Sequence, residues 1–389
     1  MARPADPFIG REILNGQFQI LQKIGTGGMG AVYKALQPAM NRMVGVKILH
    51  PKLTNRKDLV ARFRREARAM SHLTHPNTVK VFLYGELEDG SLYIIMEFLD
   101  GKNMNQTVRA EGPMPIERGL PILMQVCSAL EEAHRAGIIH RDLKPENIFL
   151  CQQGGLKDYA KVLDFGLAKV TEREMRPGSI ILTQEGMVFG TPEFMSPEQA
   201  QGKVLTAASD IYSLATILYE ALTGKLPFEA KTAMDFLSHH VSHKPIALSA
   251  RVPGKTFPPL LDQIIARALA KKPEERFASA ADFGAAMQAV LQGRTELPEG
   301  LTPQASAPYH VAPSAESSSP SHPQQASRQS ALSGSDPSGH PTIADGPRRL
   351  SSQQGSALQR WLLLAGVALG CLVVGAGLAV VVMKLLMKH

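Results

Sequence analysis

Cysteine and tryptophan are scarce in this chain of 389 residues, which contains three cysteines and one tryptophan. Cys127, Cys151 and Cys371 are odd in number, lie far apart and form no C-x-x-C pair. This pattern argues against a disulfide framework and against a zinc site, and it fits a reducing compartment. The first residues, "MARPADPFIG", contain no apolar run, so no secretory signal is expected.

Charge of one sign is not concentrated anywhere. The 42 Lys and Arg residues exceed the 35 Asp and Glu residues, and the formal net charge is +7 at pH 7. Because the basic residues are scattered, we predict no nucleic-acid partner.

Hydrophobic periodicity divides the first 290 residues into two parts. Residues 18–98 show mainly strand patterns: "FQILQKIG" and "AVYKAL" flank a glycine cluster as a hairpin, and "RMVGVKIL", "TVKVFLYGEL" and "SLYIIMEFL" follow. Only "DLVARFRREARAMSHL" has helical spacing there. After Gly101 the pattern is mainly helical, and "DIYSLATILYEALTG" is apolar on nearly every face, as in a buried helix. We predict an α+β protein with a small β-rich lobe, residues 18–98, and a larger α-rich lobe, residues 102–290.

Two segments follow that differ from this body. Residues 293–357 are rich in Ser, Pro, Gln, Ala and Gly and cannot bury enough apolar surface to offset the entropy of ordering, so we predict a disordered linker. Residues 361–383 are uncharged and apolar. As a helix they would span about 34 Å, which exceeds a hydrocarbon core of about 30 Å, so we predict a transmembrane helix.

The expected orientation places the body of the protein in the cytoplasm. Three arginines precede the span and two lysines follow it, which favours this orientation only weakly; the missing secretory signal favours it more strongly. The tail, residues 384–389, would lie outside the cytoplasm and is too short to form a sensor domain. The predicted location is therefore the cell membrane, crossed once.

The glycine cluster "IGTGGMGAV" leaves several interpretations open. A P-loop requires Gly-Lys-Ser/Thr after the glycines, which is absent, and a dinucleotide-binding turn requires a helix where Val32 and Tyr33 begin a β-favouring run. A glycine-rich hairpin that folds over nucleotide phosphates remains, beside a flexible loop without a ligand.

Further motifs narrow this choice. The cluster is followed by "VGVK" with Lys47, a predicted helix with Glu66, "HRDLKPEN" with Asp142, "DFG" with Asp164, and "GTPEFMSPE". In this order and at these spacings, the chain resembles the eukaryotic-like (Hanks-type) serine/threonine protein kinases of bacteria over about residues 18–290. The resemblance implies the bilobal protein kinase fold, the cofactors ATP and Mg²⁺, and protein Ser or Thr hydroxyls as acceptors.

The resemblance assigns roles in phosphoryl transfer, which depends on positioning and charge rather than on covalent chemistry. Asp142 would accept the proton of the substrate hydroxyl. Lys144 would place its ammonium against the transferring phosphate. Asn147 and Asp164 would supply oxygen ligands for Mg²⁺.

The nucleotide site is implied in the same way. Lys47 would hold the α- and β-phosphates and would itself be held by Glu66. The glycines over the phosphates would be Gly25, Gly27 and Gly30. The side chains around the adenine would be those of Ile24, Val32, Met96 and Phe149. The backbone of the hinge residues Glu97 and Leu99 would read the adenine edge.

Structural roles are implied for other positions. His140 and Phe165 would pack in a stack that links the lobes, and Asp210 would hydrogen-bond the backbone of the catalytic loop. Glu198 and Arg276 would form a buried ion pair whose disruption costs about 3–5 kcal/mol.

Three positions depart from the family pattern. Gly45 replaces the alanine that usually lies two residues before the lysine, Ser196 replaces the alanine of Ala-Pro-Glu, and Phe194 replaces a tyrosine. The first removes a methyl group from the roof of the pocket and the last removes one hydroxyl contact. No catalytic group is lost.

The segment between "DFG" and "GTPEFMSPE" suggests regulation. Thr191 is expected to bridge Asp142 and Lys144, as in Ser/Thr-specific kinases. Autophosphorylation would order this segment through bonds to Arg141, although ordinary loop hydroxyls are the simpler interpretation. The candidate phosphosites are Ser179, Thr183 and Thr191.

A histidine cluster and a glycine pair are the remaining features. "HHVSH" contains His239, His240 and His243, which lack Cys or carboxylate partners nearby, so we expect exposed histidines rather than a metal site. Gly366 and Gly370 form a G-x-x-x-G in the predicted span and suggest a homodimer that favours trans-phosphorylation, although this motif is common by chance.

Two rival functions are weighed against a membrane-anchored protein kinase. A pseudokinase scaffold would normally lack Lys47, Asp142, Asn147 or Asp164, and all four are present. An unrelated nucleotide-binding enzyme would need a Walker or Rossmann context, which is absent.

Overall fold

A computed structural model describes residues 6–27, 30–49, 57–165 and 191–301. The predicted phosphosites Ser179 and Thr183, the predicted span with its glycine pair, and residues 302–357 of the predicted linker lie outside the described residues. In the described ranges, the helices are either too short or too polar to cross a bilayer.

The first lobe is built on an antiparallel sheet of six strands in the order β1-β2-β3-β4-β6-β5. The strands are β1 Glu12–Ile13, β2 Phe18–Gly27, β3 Gly30–Gln37, β4 Arg42–Leu49, β5 Val81–Glu86 and β6 Leu92–Glu97. The predicted hairpin and the three further strands are therefore confirmed. Alternate residues of these strands, among them Ile20, Ala35, Val46 and Ile95, form one buried apolar cluster. Leu92 and Ile94, which alternate with Ile95 on β6, belong to a second cluster, so both faces of the sheet are covered at this strand.

Helix α1, Lys57–Ser71, lies where helical spacing predicts it. Phe63, Ala67 and Met70 on its apolar stripe are buried. They belong to the large cluster that extends into the second lobe, so this helix contributes to the core shared by both lobes.

The segment before Phe18 is part of the folded lobe, which the sequence did not indicate. Strand β1 pairs with β2 at the sheet edge. The carboxylate of Asp6 accepts a hydrogen bond from the Tyr33 hydroxyl at 3.1 Å and lies 3.0 Å from Lys23 Nζ. The first lobe therefore begins before the predicted boundary at residue 18.

The second lobe is mainly helical. Its helices are α2 Met104–Glu111, α3 Ile116–Arg135, α4 Pro197–Ala200, α5 Ala207–Thr223, α6 Ala233–Ser242, α7 Leu248–Arg251, α8 Pro259–Ala268 and α9 Ala280–Leu291. Helix α5 is buried along nearly its whole length, which confirms the prediction from its apolar composition. Gly224, at φ 68°, forms its left-handed C-cap.

A small sheet in this lobe was not predicted. Strands β7 Gly101–Asn103, β8 Ile148–Gln153 and β9 Leu156–Val162 pair antiparallel in chain order. Strands β8 and β9 carry the chain from "HRDLKPEN" to "DFG". This short sheet therefore determines how the two motifs lie relative to each other.

The start of the predicted linker contacts the helical lobe. Leu297 and Leu301 pack against the large apolar cluster, and the Arg267 guanidinium donates to the Leu301 carbonyl.

Candidate active site

Asp142, Lys144 and Asn147 lie close together in the loop between α3 and β8. Lys144 Nζ donates to Asp142 Oδ2 at 2.7 Å, and Asn147 Nδ2 donates to the Asp142 carbonyl at 2.7 Å. A 3₁₀ turn, Pro145–Asn147, holds the asparagine in place, with its N–H bonded to the Lys144 carbonyl at 2.9 Å. The carboxylate, the ammonium and the amide are thus fixed relative to one another.

Asp164 approaches this loop from the end of β9. The Leu163 N–H donates to the Asn147 carbonyl at 2.9 Å, which places the next residue beside Asn147. Asp164 itself adopts φ 57°, a left-handed conformation that costs most residues about 1–2 kcal/mol. The two motifs separated by sixteen residues of sequence are therefore joined by a backbone bond.

The carboxylate of Asp164 is held in its charged form. Lys47 Nζ lies 2.7 Å from Asp164 Oδ1. Burial alone would raise the pKa of Asp164, but the ammonium of Lys47, with smaller contributions from His140 and Lys144, lowers it below its ordinary value. A charged carboxylate and a neutral amide oxygen from Asn147 suit a hard divalent cation, and Mg²⁺ needs only one or two protein ligands when phosphates complete its shell.

Glu66 lies on α1 and is partly buried. Lys47 contacts Asp164, and the predicted pairing of Lys47 with Glu66 stays a prediction. The predicted bridge from Thr191 to Asp142 and Lys144 stays a prediction as well. Lys144 and Asp142 contact each other directly.

Asp210, in the first turn of α5, supports the catalytic loop from below. It accepts hydrogen bonds from the backbone N–H groups of His140 at 2.8 Å and Arg141 at 2.9 Å, which confirms the predicted role. Burial would raise the pKa of Asp210, but a 2.7 Å bond from His134 Nε2 and the loop amides lower it overall. His134, on the last turn of α3, was not predicted to take part.

His140 and Phe165 pack together as predicted, with ring centroids 4.9 Å apart. His140 Nε2 also bonds the Leu163 carbonyl at 2.8 Å. Because a carbonyl only accepts, Nε2 carries the proton. The ring therefore ties the backbone before "DFG" to the catalytic loop.

The segment after Thr191 is anchored by the predicted ion pair. Arg276 donates to both carboxylate oxygens of Glu198 at 2.7 Å, and Ser209 Oγ donates to one of them at 2.6 Å. Gln199 Nε2 donates to the Arg141 carbonyl at 2.8 Å. The segment thus lies directly against the catalytic loop.

The predicted nucleotide residues lie on strands β2, β3, β4, β6 and β8, except Leu99, which lies between β6 and β7. In strand register Val32 pairs with both Gly25 and Lys47, so the glycine hairpin lies directly beside the strand that carries the lysine. A Cβ at Gly30, whose φ is 154°, would lie 2.1 Å from the Ile48 carbonyl oxygen, so only glycine fits there. Ile24, on β2, is 47% exposed.

The residues at the end of β6 have roles that the sequence did not indicate. Glu97 Oε1 accepts from Lys161 Nζ at 2.7 Å and from the Lys80 N–H at 2.8 Å. A Cβ at Gly45 would lie 3.2 Å from Met96 Cγ. The methyl group missing at Gly45 is thus replaced in part by the side chain of Met96.

The prediction of three exposed histidines is wrong for His240. This residue is completely buried, whereas His239 is partly buried and His243 is exposed. The reason is that His240 lies on the inner face of α6 and finds hydrogen-bond partners there. Among the residues that the structure describes, no group of three or more His, Cys, Asp or Glu side chains is arranged to hold a metal.

Comparison with known proteins agrees with this geometry. Residues 18–294 match the family model described as "Protein kinase domain". Serine/threonine-protein kinase pkn3 of Myxococcus xanthus is 41% identical over 329 residues, which cover 85% of this chain and 59% of that protein. Serine/threonine-protein kinase PknB of Mycobacterium tuberculosis is 39% identical over 293 residues, which cover 74% of this chain and 45% of that protein. The chain thus spans about half the length of these curated relatives.

The solved structures lead to the same family. The crystal structure of the Mycobacterium tuberculosis PknI kinase domain is similar with a TM-score of 0.55 at 27% sequence identity. The similarity covers 72% of this chain and 97% of that one.

Proposed function

This chain belongs to the protein kinase family, and on that premise we propose that it transfers the γ-phosphate of ATP to serine or threonine hydroxyls of proteins. The observation that carries the proposal is the convergence of two charged pairs, Lys144 with Asp142 and Lys47 with Asp164, each at 2.7 Å. The serine/threonine-protein kinase names of the relatives support the choice of acceptor.

The catalytic loop supplies the positioning that the reaction needs. An acceptor hydroxyl beside Asp142 can donate its hydrogen to the carboxylate, which aims the oxygen at the phosphate and takes the proton as the bond forms. Lys144, already 2.7 Å from that carboxylate, offsets charge on the phosphate oxygens. Holding both groups in one short loop, where they contact each other, lowers the entropic cost of assembling them.

The nucleotide would lie under the glycine hairpin. The Glu97 N–H donates to the Lys80 carbonyl at 2.9 Å, so the Glu97 carbonyl is the group that would read the adenine edge, together with the backbone of Leu99. Asp164 and Asn147 would hold Mg²⁺, which neutralises phosphate charge when bound.

The test is transfer of labelled phosphate from Mg-ATP to a generic acceptor protein by the full chain. Asp142→Asn should lower kcat at least about 100-fold, the lower range for loss of a general base, with ATP affinity unchanged. Asp89→Asn, at an exposed surface pair, is the matched control and should keep full activity. An Asp142→Asn chain as active as the native one would contradict the proposal.

We further propose that the kinase phosphorylates its own segment between "DFG" and "GTPEFMSPE" at Ser179, Thr183 or Thr191, with Arg141 as the phosphate partner. The hydroxyls in this segment and the arginine beside Asp142 support the idea. Mass spectrometry of fully active enzyme should find phosphate in this segment, and an unmodified segment would refute it.

Membrane anchoring by residues 361–383 is proposed from their length and lack of charge. A chain lacking residues 361–389 should move from the membrane fraction to the soluble fraction.

Dimerisation through Gly366 and Gly370 is proposed from their spacing. Replacing both with Ile should reduce autophosphorylation in membranes, and an unchanged rate would exclude the dimer.

A further inference from the structure

His240 is completely enclosed by the helical lobe and hydrogen-bonded at both ring nitrogens. Its Nδ1 lies 2.9 Å from the Tyr212 hydroxyl on α5, and its Nε2 lies 3.0 Å from the Glu193 carbonyl. The ring of Phe228 packs edge-on against it, with centroids 5.0 Å apart. A buried histidine with two ordered partners links three separate parts of the chain.

The partners determine which nitrogen carries the proton. The Glu193 carbonyl can only accept, so Nε2 donates to it. Burial is the main cause that lowers the pKa of His240 to about 4, and burial also raises the pKa of Tyr212. At pH 7 the ring is therefore neutral, and Nδ1 accepts the hydrogen of the Tyr212 hydroxyl.

The carbonyl that His240 holds belongs to a short 3₁₀ turn, Pro192–Phe194. The next carbonyl of this turn, that of Phe194, accepts from Ser213 Oγ at 2.7 Å. Two consecutive peptide groups are thus fixed by side chains from different helices. This arrangement determines the orientation of the turn more tightly than a single bond would.

The same helix that carries Tyr212 and Ser213 carries Asp210 in its first turn, and Asp210 holds the catalytic loop. The catalytic loop and the Pro192–Phe194 turn are therefore mounted on neighbouring residues of α5. A few residues beyond the turn, Gln199 bonds the Arg141 carbonyl. Because Gln199 ties this segment to the loop that carries Asp142, the segment borders the place where an acceptor hydroxyl would meet that carboxylate.

We propose that His240 is a positioning residue for the protein substrate: it fixes the Pro192–Phe194 turn through the Glu193 carbonyl and thereby sets the surface on which the acceptor polypeptide lies. This role rests on the proposed kinase activity. It involves no contact with ATP, since the two ring nitrogens of His240 are bonded to Tyr212 and Glu193, neither of which is a nucleotide residue.

Two substitutions of similar size separate the two bonds of the ring. In His240→Gln, Nε2 of the amide stands where the imidazole Nε2 stood and keeps the donor to Glu193. In His240→Asn, the shorter amide reaches Tyr212 only. The native full chain and both variants are compared with dephosphorylated casein as acceptor.

The Asn variant should raise the KM for casein about five- to tenfold, the factor that corresponds to one lost hydrogen bond at an ordered site. The Gln variant should stay within about twofold of the native chain. The KM for ATP and the slow hydrolysis of ATP without acceptor should be unchanged in both, which a general loss of folding would not allow.

Ser213→Ala removes the neighbouring anchor of the same turn and should give the same selective rise, so the test stands if the Asn variant fails to fold. Equal KM values for casein in the Asn and Gln variants, or a parallel rise in the KM for ATP, would overturn the role of His240. A native chain that labels no acceptor contradicts the proposed function instead.

Discussion

Removing Arg276 tests how the segment after Thr191 is held. The arginine is 2% exposed and donates to both oxygens of Glu198 at 2.7 Å. It also donates to the carbonyls of Ala208 and Ala270, each at 2.8 Å. Arg276→Met fills most of the volume but leaves a buried carboxylate and two carbonyls without these donors.

Breaking one side of a buried pair costs about 3–5 kcal/mol, because the remaining charge is neither hydrated nor paired. For a domain of this size each kcal/mol shifts the midpoint of thermal unfolding by about 2–4 °C, so we expect a decrease of about 10 °C. Urea unfolding followed by circular dichroism measures the same loss as a lower midpoint with an unchanged slope.

The pH dependence checks the cause. Burial alone would raise the pKa of Glu198, but Arg276 lowers it overall. In the native chain the pair therefore stabilises the fold above the unfolded glutamate pKa of about 4.3, and this stabilisation is lost as the pH falls through the lowered folded value. In Arg276→Met, burial, the largest cause, is opposed only by weaker hydrogen bonds such as the one from Ser209, so the folded pKa rises and that variant loses stability as the pH increases from about 4.3. The difference between the two chains should thus grow from pH 4 to pH 7.

The double variant Glu198→Leu with Arg276→Met completes the experiment. Two apolar side chains remove the unpaired charge, so the double variant should be more stable than Arg276→Met alone. If Arg276→Met unfolds within about 1 kcal/mol of the native chain at pH 7, or if the double variant costs the sum of both single changes, the reasoning is refuted.

Two smaller predictions concern Glu97 and Gly45, which lie on neighbouring strands of the first lobe. Glu97→Gln should lower the free energy of unfolding by about 2 kcal/mol or more, because Lys161, with a side chain 6% exposed, loses its counter-charge. The control Glu86→Gln changes a pair with both side chains over 40% exposed and should cost less than about 1 kcal/mol. Equal urea midpoints for the two variants would contradict this prediction. Gly45→Ala should stabilise the first lobe by about 0.5–1 kcal/mol. The new Cβ would meet the flexible Met96 side chain at 3.2 Å and the Glu97 carbonyl oxygen at an ordinary 3.5 Å. A lower thermal midpoint would show that the Met96 side chain cannot yield.

The sequence predicted those parts of the site whose chemistry shows in short motifs. Asp142, Lys144 and Asn147 lie within six consecutive residues of one loop, so their proximity follows from their spacing. Asp164 is brought beside them by β8 and β9, and this sheet was missed because the apolar residues of β9, "LKDYAKV", do not alternate as in a typical strand. Resemblance rather than periodicity indicated that these motifs meet.

The residues that were missed contact partners distant in sequence. His240 meets Glu193 and Tyr212 across 47 and 28 positions, and the polar sequence around it, "HHVSH", reads as a solvated surface. Glu97 and Lys161 are separated by 64 positions. Composition identifies such residues as polar, but only the packing of helices and strands determines which polar residues are buried with a partner.

The buried charged residues Asp210 and Lys47 have a common effect on the backbone of the active site. Arg141 and Asp164, which flank the chemistry, adopt left-handed φ angles of 70° and 57°, and neither would choose this conformation in isolation. Asp210 holds the first through the Arg141 N–H, and Lys47 holds the second through its carboxylate. Because each strained residue depends on a buried partner, replacing Asp210 or Lys47 should disturb the backbone of the site as well as its charge. The polar interior is therefore part of the catalytic geometry, and its cost in stability is offset by the large apolar cluster around α5.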